Sequence, residues 1–126
     1  ACGVVFLRPL ARLNSAQQEL HHEIGNYHLN VPKLPIYANI TAECYPQDQH
    51  ECEEILTSQV THPVLWEKTI RNMVEEGFTT FIEVGPGKTL SGLVKKINKD
   101  VTVCRVENKE TLEETLRALG KETSEE

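Results

Sequence analysis

The residues best placed to do chemistry lie between a strand-like run and a helix. Residues 78–84 read FTTFIEV, rich in β-branched and aromatic side chains, and Gly85, Pro86 and Gly87 follow directly. Glycines allow a sharp turn at the C-terminal end of a parallel strand, where open α/β sheets bind ligands. A helix start near Lys88 would offer free amides to an anion. The same spacing also suits an ordinary tight strand-to-helix turn, so both interpretations stay open.

The sequence shows no activated nucleophile and no nucleotide-binding loop. It contains no G-x-S-x-G elbow, no Walker loop and no dinucleotide fingerprint. A hydrolase built on the chain's own histidines would therefore lack a recognisable pair of nucleophile and base. All four serines lie in predicted helices or in the tail: Ser15, Ser58, Ser91 and Ser124.

The cysteines and histidines do not have the spacing of a metal site. The four cysteines include no C-x-x-C pair, as expected for the reduced thiols of a cytoplasmic protein. Cys44, His50 and Cys52 could be combined into a zinc set, but their spacing fits no standard zinc site. We therefore predict no metal and no bound cofactor.

Composition and charge argue against some classes of partner and of location. The chain has 25% charged and 39% hydrophobic residues, the balance of a globular domain. Its net charge is −6 and no basic stripe stands out, so nucleic acid is not expected as a partner. Because no apolar run approaches the roughly twenty residues of a transmembrane helix, no membrane span is predicted. The apolar start lacks the features of a signal peptide, and we expect a cytoplasmic location.

The elements that position these residues alternate between helices and strands. Strands separated by helices imply parallel pairing, so the predicted fold class is α/β, a parallel sheet with helices packed on it. Ser15 and Thr61 are the predicted caps of the first and third helices. Hydrophobic spacing and turn residues predict helices from near Asn14 and Ser15 to an exit at Gly25, over 51–60, over 64–76, after Gly87 and after Asn108, and strands over 36–41, 78–84 and 101–106.

Two of the predicted helices carry marked apolar stripes. Leu112, Leu116 and Leu119 line one face of the last helix. The stripe expected to be buried on the third helix consists of Trp66, Ile70, Met73 and Val74.

Three ordered segments resemble the malonyl-CoA:acyl carrier protein transacylases. Residues 30–40 read NVPKLPIYANI, similar to the segment that follows the family's catalytic histidine. Residues 59–66 read QVTHPVLW, similar to its Q-x-x-x-P-V-x-W stretch, and residues 81–93 read FIEVGPGKTLSGL, close to its E-V-G-P-G-K-x-L-x-G-L signature. The resemblance runs from about Ser15 to Leu119. It implies the C-terminal segment of an α/β-hydrolase-like acyltransferase domain.

The resemblance also implies a reaction and a set of site residues. A serine would take malonyl from malonyl-CoA and pass it to the thiol of phosphopantetheinylated acyl carrier protein, with a histidine as base and then acid. The main-chain carbonyl of Gln59 would orient that histidine. Asn39 would lie beside it, and Gly85, Pro86 and Gly87 would border the same pocket. Acyl carrier protein is the partner that the resemblance implies.

The same comparison indicates that the nucleophile is missing. The family's serine elbow, oxyanion loop and malonate-binding arginine all belong upstream of Ala1. Its histidine would fall at Pro9 or at Gly3, depending on the alignment, and neither is a histidine. The chain is therefore expected to be inactive alone.

The predicted domain organisation follows from where the resemblance is strong. Residues 1–13 resemble the family only weakly, 14–120 form the C-terminal part of the acyltransferase domain, and 121–126 are a charged tail. One hypothesis for the weak start is a truncated or frame-shifted product.

An alternative function is a non-catalytic module that contacts acyl carrier protein through Lys88, Lys95 and Lys96. A segment of a larger sheet would also expose a strand edge, through which we expect self-association.

Overall fold

Short parallel strand pairs joined by helices make up the part of the chain that the structure describes. This structure is a computed structural model, and it describes residues 4–5 and 14–120. The predicted segment 1–13 (apart from its residues 4–5) and the predicted tail 121–126 lie outside the described residues. In chain order the elements are β1 (Val4–Val5), α1 (Asn14–Ile24), β2 (Ile36–Tyr37), α2 (Gln49–Ser58), α3 (Trp66–Glu75), β3 (Thr80–Val84), α4 (Thr89–Ile97), β4 (Thr102–Val106) and α5 (Lys109–Ala118).

The strand pairs are parallel, as predicted, and each lies in its own compact unit. The first unit, Ala1–Glu76, contains the pair β1–β2, and the second, Gly77–Glu126, contains the pair β3–β4. Thr80 pairs with Thr102, and the register continues over all five residues of both β3 and β4. The strand β1 was not predicted, because a two-residue strand is too short to show a period of two.

The buried face of α3 forms part of the core of the first unit. Ile70 and Met73 are buried, which confirms half of the predicted stripe, whereas Trp66 and Val74 are only half-buried. Thr69 also lies on the buried face, where its hydroxyl donates to the Leu65 carbonyl at 2.8 Å. A helical threonine can be buried in this way because the preceding turn satisfies its hydroxyl.

The predicted strand over 36–41 is wrong beyond Tyr37. The chain reverses after this residue, where the Ala42 N–H donates to the Ala38 carbonyl at 3.0 Å. Ala42 has a φ of 58°, in the left-handed region that non-glycine residues seldom adopt. This turn overrides the β-favouring residues Ile40 and Thr41, which therefore lie outside any strand.

The predicted cap of α1 and the predicted start of α2 are wrong. The helix α1 begins at Asn14, in agreement with the predicted start near Asn14 and Ser15, but Ser15 lies inside its first turn rather than in the cap position. The helix α2 begins at Gln49, two residues before the predicted start. The Asp48 carboxylate caps it by accepting the Glu51 N–H at 2.9 Å. An aspartate three residues before a glutamate is a capping signal that the sequence does contain.

The predicted cap of α3 at Thr61 is also wrong. The helix begins at Trp66, with Leu65 in the cap position and no side-chain cap. The Thr61 hydroxyl instead donates to Oε1 of Gln17 at 2.7 Å, a contact between residues 44 positions apart. Such a contact cannot be read from local spacing.

In the second unit, α4 and α5 pack against the β3–β4 pair. Asn108 caps α5 as predicted, since its side chain accepts the Thr111 N–H at 2.9 Å. The buried side of α5 carries Thr111 and Thr115, whereas Leu112 and Leu119 of the predicted leucine face are exposed. No helix among residues 14–120 is long and apolar enough to cross a membrane.

Replacing Ile70 by alanine tests the core of the first unit. Because Ile70 is fully buried, we expect the free energy of unfolding to fall by about 2–5 kcal/mol. The control is Leu34→Ala, which removes a side chain of similar size from an exposed position and should cost less than about 1 kcal/mol. Urea unfolding followed by circular dichroism measures both values, and equal losses would contradict this assignment of the core.

Candidate functional site

Backbone amides of the turn from β3 into α4 donate to two carboxylates of the protein, those of Glu83 and Glu107. The Glu83 carboxylate accepts the Ser91 N–H at 2.8 Å, the Leu90 N–H at 3.3 Å and the Ser91 hydroxyl at 2.6 Å. The Gly87 N–H donates to the Glu107 carboxylate at 2.9 Å. The prediction of free amides for an anion at this helix start is therefore wrong at Leu90 and Ser91.

The backbone of this turn depends on two of the predicted site residues. Gly85 has a φ of 131° and Gly87 a φ of 90°, both in the region that favours glycine. The Gly85 N–H donates to the Val106 carbonyl at 2.9 Å, which continues the β3–β4 ladder into the turn. Pro86 lies between them and is exposed. The turn thus leaves the sheet with a backbone shape that side chains on Gly85 or Gly87 would strain.

Glu83 is held as a carboxylate by its surroundings. Burial alone would raise the pKa of Glu83, but the hydroxyl and amide of Ser91, the Leu90 amide and the charge of Arg105 together lower this pKa below its ordinary value. Arg105 also lies 3.3 Å from the Glu107 carboxylate. The Ser91 hydroxyl therefore faces a weak base, which is a poor arrangement for activating a nucleophile.

The other described serines also lack a nucleophile's setting. Ser58 is the last residue of α2, and Ser15 lies in the first turn of α1. Ser124 lies outside the described residues. Among the described serines, only Ser91 follows a strand-to-helix turn, and it lies inside the first turn of α4 rather than in the turn itself.

Gln59 is at the C-cap of α2, and its side chain is fixed by a tyrosine. Its amide nitrogen Nε2 donates to the hydroxyl of Tyr45, and its main-chain N–H donates to the Ile55 carbonyl at 3.3 Å. Burial raises the pKa of Tyr45, so its phenol stays protonated at neutral pH. Within residues 14–120, no donor reaches the main-chain carbonyl of Gln59. This carbonyl is an acceptor on an anchored residue.

Asn39 is buried, and one of its polar atoms has no partner. The side chain is 3% exposed, and the main-chain carbonyl accepts the Leu65 N–H at 2.8 Å. Its Oδ1 is buried without a hydrogen bond to any residue that the structure describes, and so is Nε1 of Trp66, which follows Leu65 in the chain. Buried polar atoms are usually paired, so this acceptor stands out among the described residues.

The predicted site residues are divided between the two units. Asn39 and Gln59 lie in the first unit, each tied into it by a hydrogen bond to another segment, and Gly85, Pro86 and Gly87 lie in the second. Three residues that bond the predicted site residues or the start of α4 had not been predicted from sequence: Tyr45, Glu83 and Glu107. Only Glu83 had a local signal, as a carboxylate shortly before a helix start.

The three lysines of the alternative function are not equally available. Lys95 donates to the Val101 carbonyl at 2.6 Å, which ties α4 to the start of β4. Lys88 is at the N-cap of α4, and all three lysines are exposed. The arrangement does not favour a three-lysine contact surface.

Two of the three side chains considered above as zinc ligands make other contacts. The Cys52 thiol is buried and donates to the Pro46 carbonyl at 3.1 Å, while His50 lies 3.3 Å from Glu54. Cys44 is exposed. Across the described part of the chain, no group of three or more ligating side chains could hold a metal ion.

Comparison with known proteins gives a consistent set of similar chains, although no protein-family model matches. The chain is 32% identical to the malonyl CoA-acyl carrier protein transacylase of Bacillus subtilis (strain 168), over 97% of this chain and 44% of that protein. The malonyl CoA-acyl carrier protein transacylase of Clostridium perfringens has a solved structure that is 45% identical, with a TM-score of 0.78 over 82% of this chain and 33% of that one.

A second solved structure shows the same fold at lower identity. It is a malonyl-transacylase in complex with its type II PKS acyl-carrier protein, with 24% identity and a TM-score of 0.79 over 84% of this chain and 34% of that one. In every comparison, the chain spans less than half the length of the protein that it matches.

Replacing Glu83 by glutamine tests whether the ionised carboxylate holds the turn. Because the pKa of Glu83 is lower in the folded than in the unfolded chain, its stabilisation is fully present above the unfolded pKa and is lost as pH falls through the folded one. At pH 7 we expect Glu83→Gln to lower the free energy of unfolding by about 1–3 kcal/mol.

The difference between the two proteins should shrink as pH falls below about 4.3, the ordinary pKa of glutamate. Urea unfolding at a series of pH values measures it. Glu114→Gln, at an exposed position on α5, is the matched control and should change the free energy by less than about 0.5 kcal/mol. A difference for Glu83→Gln that stays constant with pH would contradict the role of the charge.

Proposed function

The chain belongs to the malonyl CoA-acyl carrier protein transacylase family, of which it spans a C-terminal-like portion, and we propose that it supplies the histidine-orienting part of the acyl-transfer site. The proposed reaction moves malonyl from malonyl-CoA to the phosphopantetheine thiol of acyl carrier protein. Acyl carrier protein is the proposed partner, which the complex of a similarly folded malonyl-transacylase supports.

The observation that carries this proposal is the unpartnered main-chain carbonyl of Gln59. A histidine that acts as a base must keep one ring nitrogen unprotonated, and a hydrogen bond from its other nitrogen fixes that tautomer. The Gln59 carbonyl is suited to accept such a bond, because no described residue donates to it and the Tyr45 hydroxyl anchors its side chain. The family's catalytic histidine would fall at position 3 or 9, and neither position holds a histidine. The Gln59 carbonyl therefore has no histidine at either position to orient.

By resemblance to the family, we propose that Asn39 of the first unit borders the substrate, and we propose the same of the glycine turn of the second unit. The unpaired Oδ1 of Asn39 would accept a hydrogen bond from the histidine or from the substrate. Gly85 and Gly87 would let the backbone come close to the substrate, since neither carries a Cβ. Because the Gly87 amide is already bonded to Glu107, we propose that this turn contributes shape rather than positive charge.

The proposed role does not include a nucleophile from the described residues. Ser91 bonds a carboxylate of lowered pKa, and Ser15 and Ser58 are helical. We therefore propose that this chain alone forms no malonyl-enzyme. The cytoplasmic location predicted from the cysteines stays a prediction.

A chimeric enzyme tests the proposal directly. Residues 14–120 of this chain replace the matching segment of the C. perfringens transacylase, so that the parent supplies everything upstream. We expect labelled malonyl to reach holo acyl carrier protein within about tenfold of the parent rate, a loss of at most about 1.4 kcal/mol in transition-state stabilisation. The chain alone should take up no label.

The blank for this assay is the same chimera with the parent's nucleophilic serine replaced by alanine. A chimera that folds, as judged by its circular dichroism and its elution volume, but transfers no more than this blank would contradict the proposed function. Stable label on the chain alone would contradict the absence of a nucleophile.

Tyr45→Phe in the chimera tests how Gln59 is anchored. Losing the hydroxyl removes one hydrogen bond to the Gln59 side chain, worth about 1 kcal/mol. If that bond fixes where the carbonyl points, kcat should fall by about fivefold with KM unchanged. Tyr27→Phe removes the same atom from a side chain that is 67% exposed, and it should leave kcat unaltered. Equal effects of the two changes on kcat would contradict this role of the Tyr45 hydroxyl.

A further inference from the structure

One histidine of the first unit has a ring whose protonation is fixed by the backbone. Nδ1 of His62 lies 2.7 Å from the main-chain carbonyl of Ser58, the last residue of α2. Because a carbonyl can only accept a hydrogen bond, Nδ1 must carry the proton. In the neutral ring, Nε2 is then the unprotonated nitrogen.

A second contact fixes the same tautomer of His62. The Thr61 hydroxyl lies 3.1 Å from Nδ1, and it donates its single hydrogen to Oε1 of Gln17 at 2.7 Å. Toward the imidazole ring, this hydroxyl can therefore only accept. Since Gln17 belongs to α1, the hydrogen bonds also tie the position of the ring to a second helix.

The other ring nitrogen of His62 is open to a substrate or a nucleophile. Within residues 14–120, Nε2 has no hydrogen bond and no ion pair, and the residue is exposed. A base in acyl transfer needs one ring nitrogen held by an acceptor and the other free to take a proton. The ring of His62 meets both conditions, with a main-chain carbonyl as the acceptor.

The location of this ring suits the site that lacks the family's histidine. His62 follows Gln59 by three residues, and the carbonyl that holds its ring belongs to Ser58, directly before Gln59. We propose that His62 is the base of acyl transfer in this chain, with the Ser58 carbonyl as its orienting acceptor. The inference rests on the proposed function, because it names the residue that takes the place of the missing histidine in the same reaction.

The reaction needs a serine from the upstream part of the transacylase fold. The serine oxygen attacks the thioester carbonyl carbon of malonyl-CoA while its proton moves to Nε2 of His62, and Nε2 returns that proton to the coenzyme A sulfur as the carbon–sulfur bond breaks. The phosphopantetheine thiol then attacks the serine ester and gives its proton to Nε2. This proton returns to the serine oxygen as the ester bond breaks, so the enzyme ends in its starting state.

A fusion enzyme without the family's histidine tests the proposal. The full chain is joined to the upstream part of the C. perfringens transacylase, cut just before its catalytic histidine, so that the parent supplies the serine. We expect labelled malonyl to reach holo acyl carrier protein about a hundredfold or more above the same fusion with that serine replaced by alanine. His62→Asn should remove this excess by lowering kcat, with KM unchanged.

The choice of asparagine separates catalysis from a structural role of the ring. An asparagine amide can still donate to the Ser58 carbonyl at the end of α2, but it has no basic nitrogen. His22→Asn, at an exposed position on α1, is the matched control and should leave kcat unaltered. A fusion with normal circular dichroism that transfers no faster than its blank, or one that keeps its rate after His62→Asn, would overturn the proposal.

Heteronuclear NMR of the full chain supplies a second readout that does not depend on activity. The neutral ring of His62 should carry its proton on Nδ1, and a proton on Nε2 instead would overturn the proposal. The chimera described above keeps the parent's histidine, so it scores the proposed function separately. An active chimera with an inactive fusion would count against His62 alone. An inactive chimera with an active fusion that needs His62 would support the base and count against the orienting role of Gln59.

Discussion

The carboxylate of Glu83 is the interaction on which the second unit depends most. Its desolvation is unfavourable, but two amides and one hydroxyl donate to it, and the charge of Arg105 lies nearby. One side chain thereby accepts two amides in the first turn of α4 and joins that helix to the C-terminal end of β3. The glycine turn between the two must follow the path that this bond allows, which explains the left-handed φ at Gly85 and Gly87. In the same way, the carboxylate of Glu107, the residue after β4, accepts a hydrogen bond from the Gly87 N–H.

Much of the fold could be predicted from local patterns, and the errors have a common cause. The helices and strands of the second unit follow turn residues and periodicity closely, because β3, its turn and α4 are consecutive in sequence and held by short-range bonds. In the first unit, the strand after Pro35 stops at Tyr37 and α3 starts at Trp66 because of contacts between distant residues. The bond from Thr61 to Gln17 spans 44 positions, and the turn at Ala42 is held partly by Asn72. Periodicity carries no information about such contacts.

The candidate site divides in the same way between what a sequence can and cannot indicate. The positions of Gln59, Asn39 and the glycine turn come from resemblance, which transfers a location but not a geometry. Of the two interpretations left open for this turn, free amides for an anion are wrong at Leu90 and Ser91, because the motif contains its own anion, Glu83, only seven residues before Leu90. Spacing identified the amides but not their partner. The hydrogen bond from Gln59 to Tyr45 could not be predicted either, since the two residues are fourteen positions apart, with loop and helix between them.

The two units differ in which of their backbone and side-chain groups are already bonded. In the first unit, Oδ1 of Asn39 is buried without a partner among the described residues, which costs about 1–3 kcal/mol relative to a paired acceptor. The main-chain carbonyl of Gln59 accepts no hydrogen bond from residues 14–120, although Tyr45 anchors the side chain of the same residue. In the second unit, by contrast, the carboxylates of Glu83 and Glu107 already accept the amides of the glycine turn and of the first turn of α4. This difference is why the proposed role assigns hydrogen-bond acceptance to Asn39 and Gln59 and only backbone shape to the glycine turn.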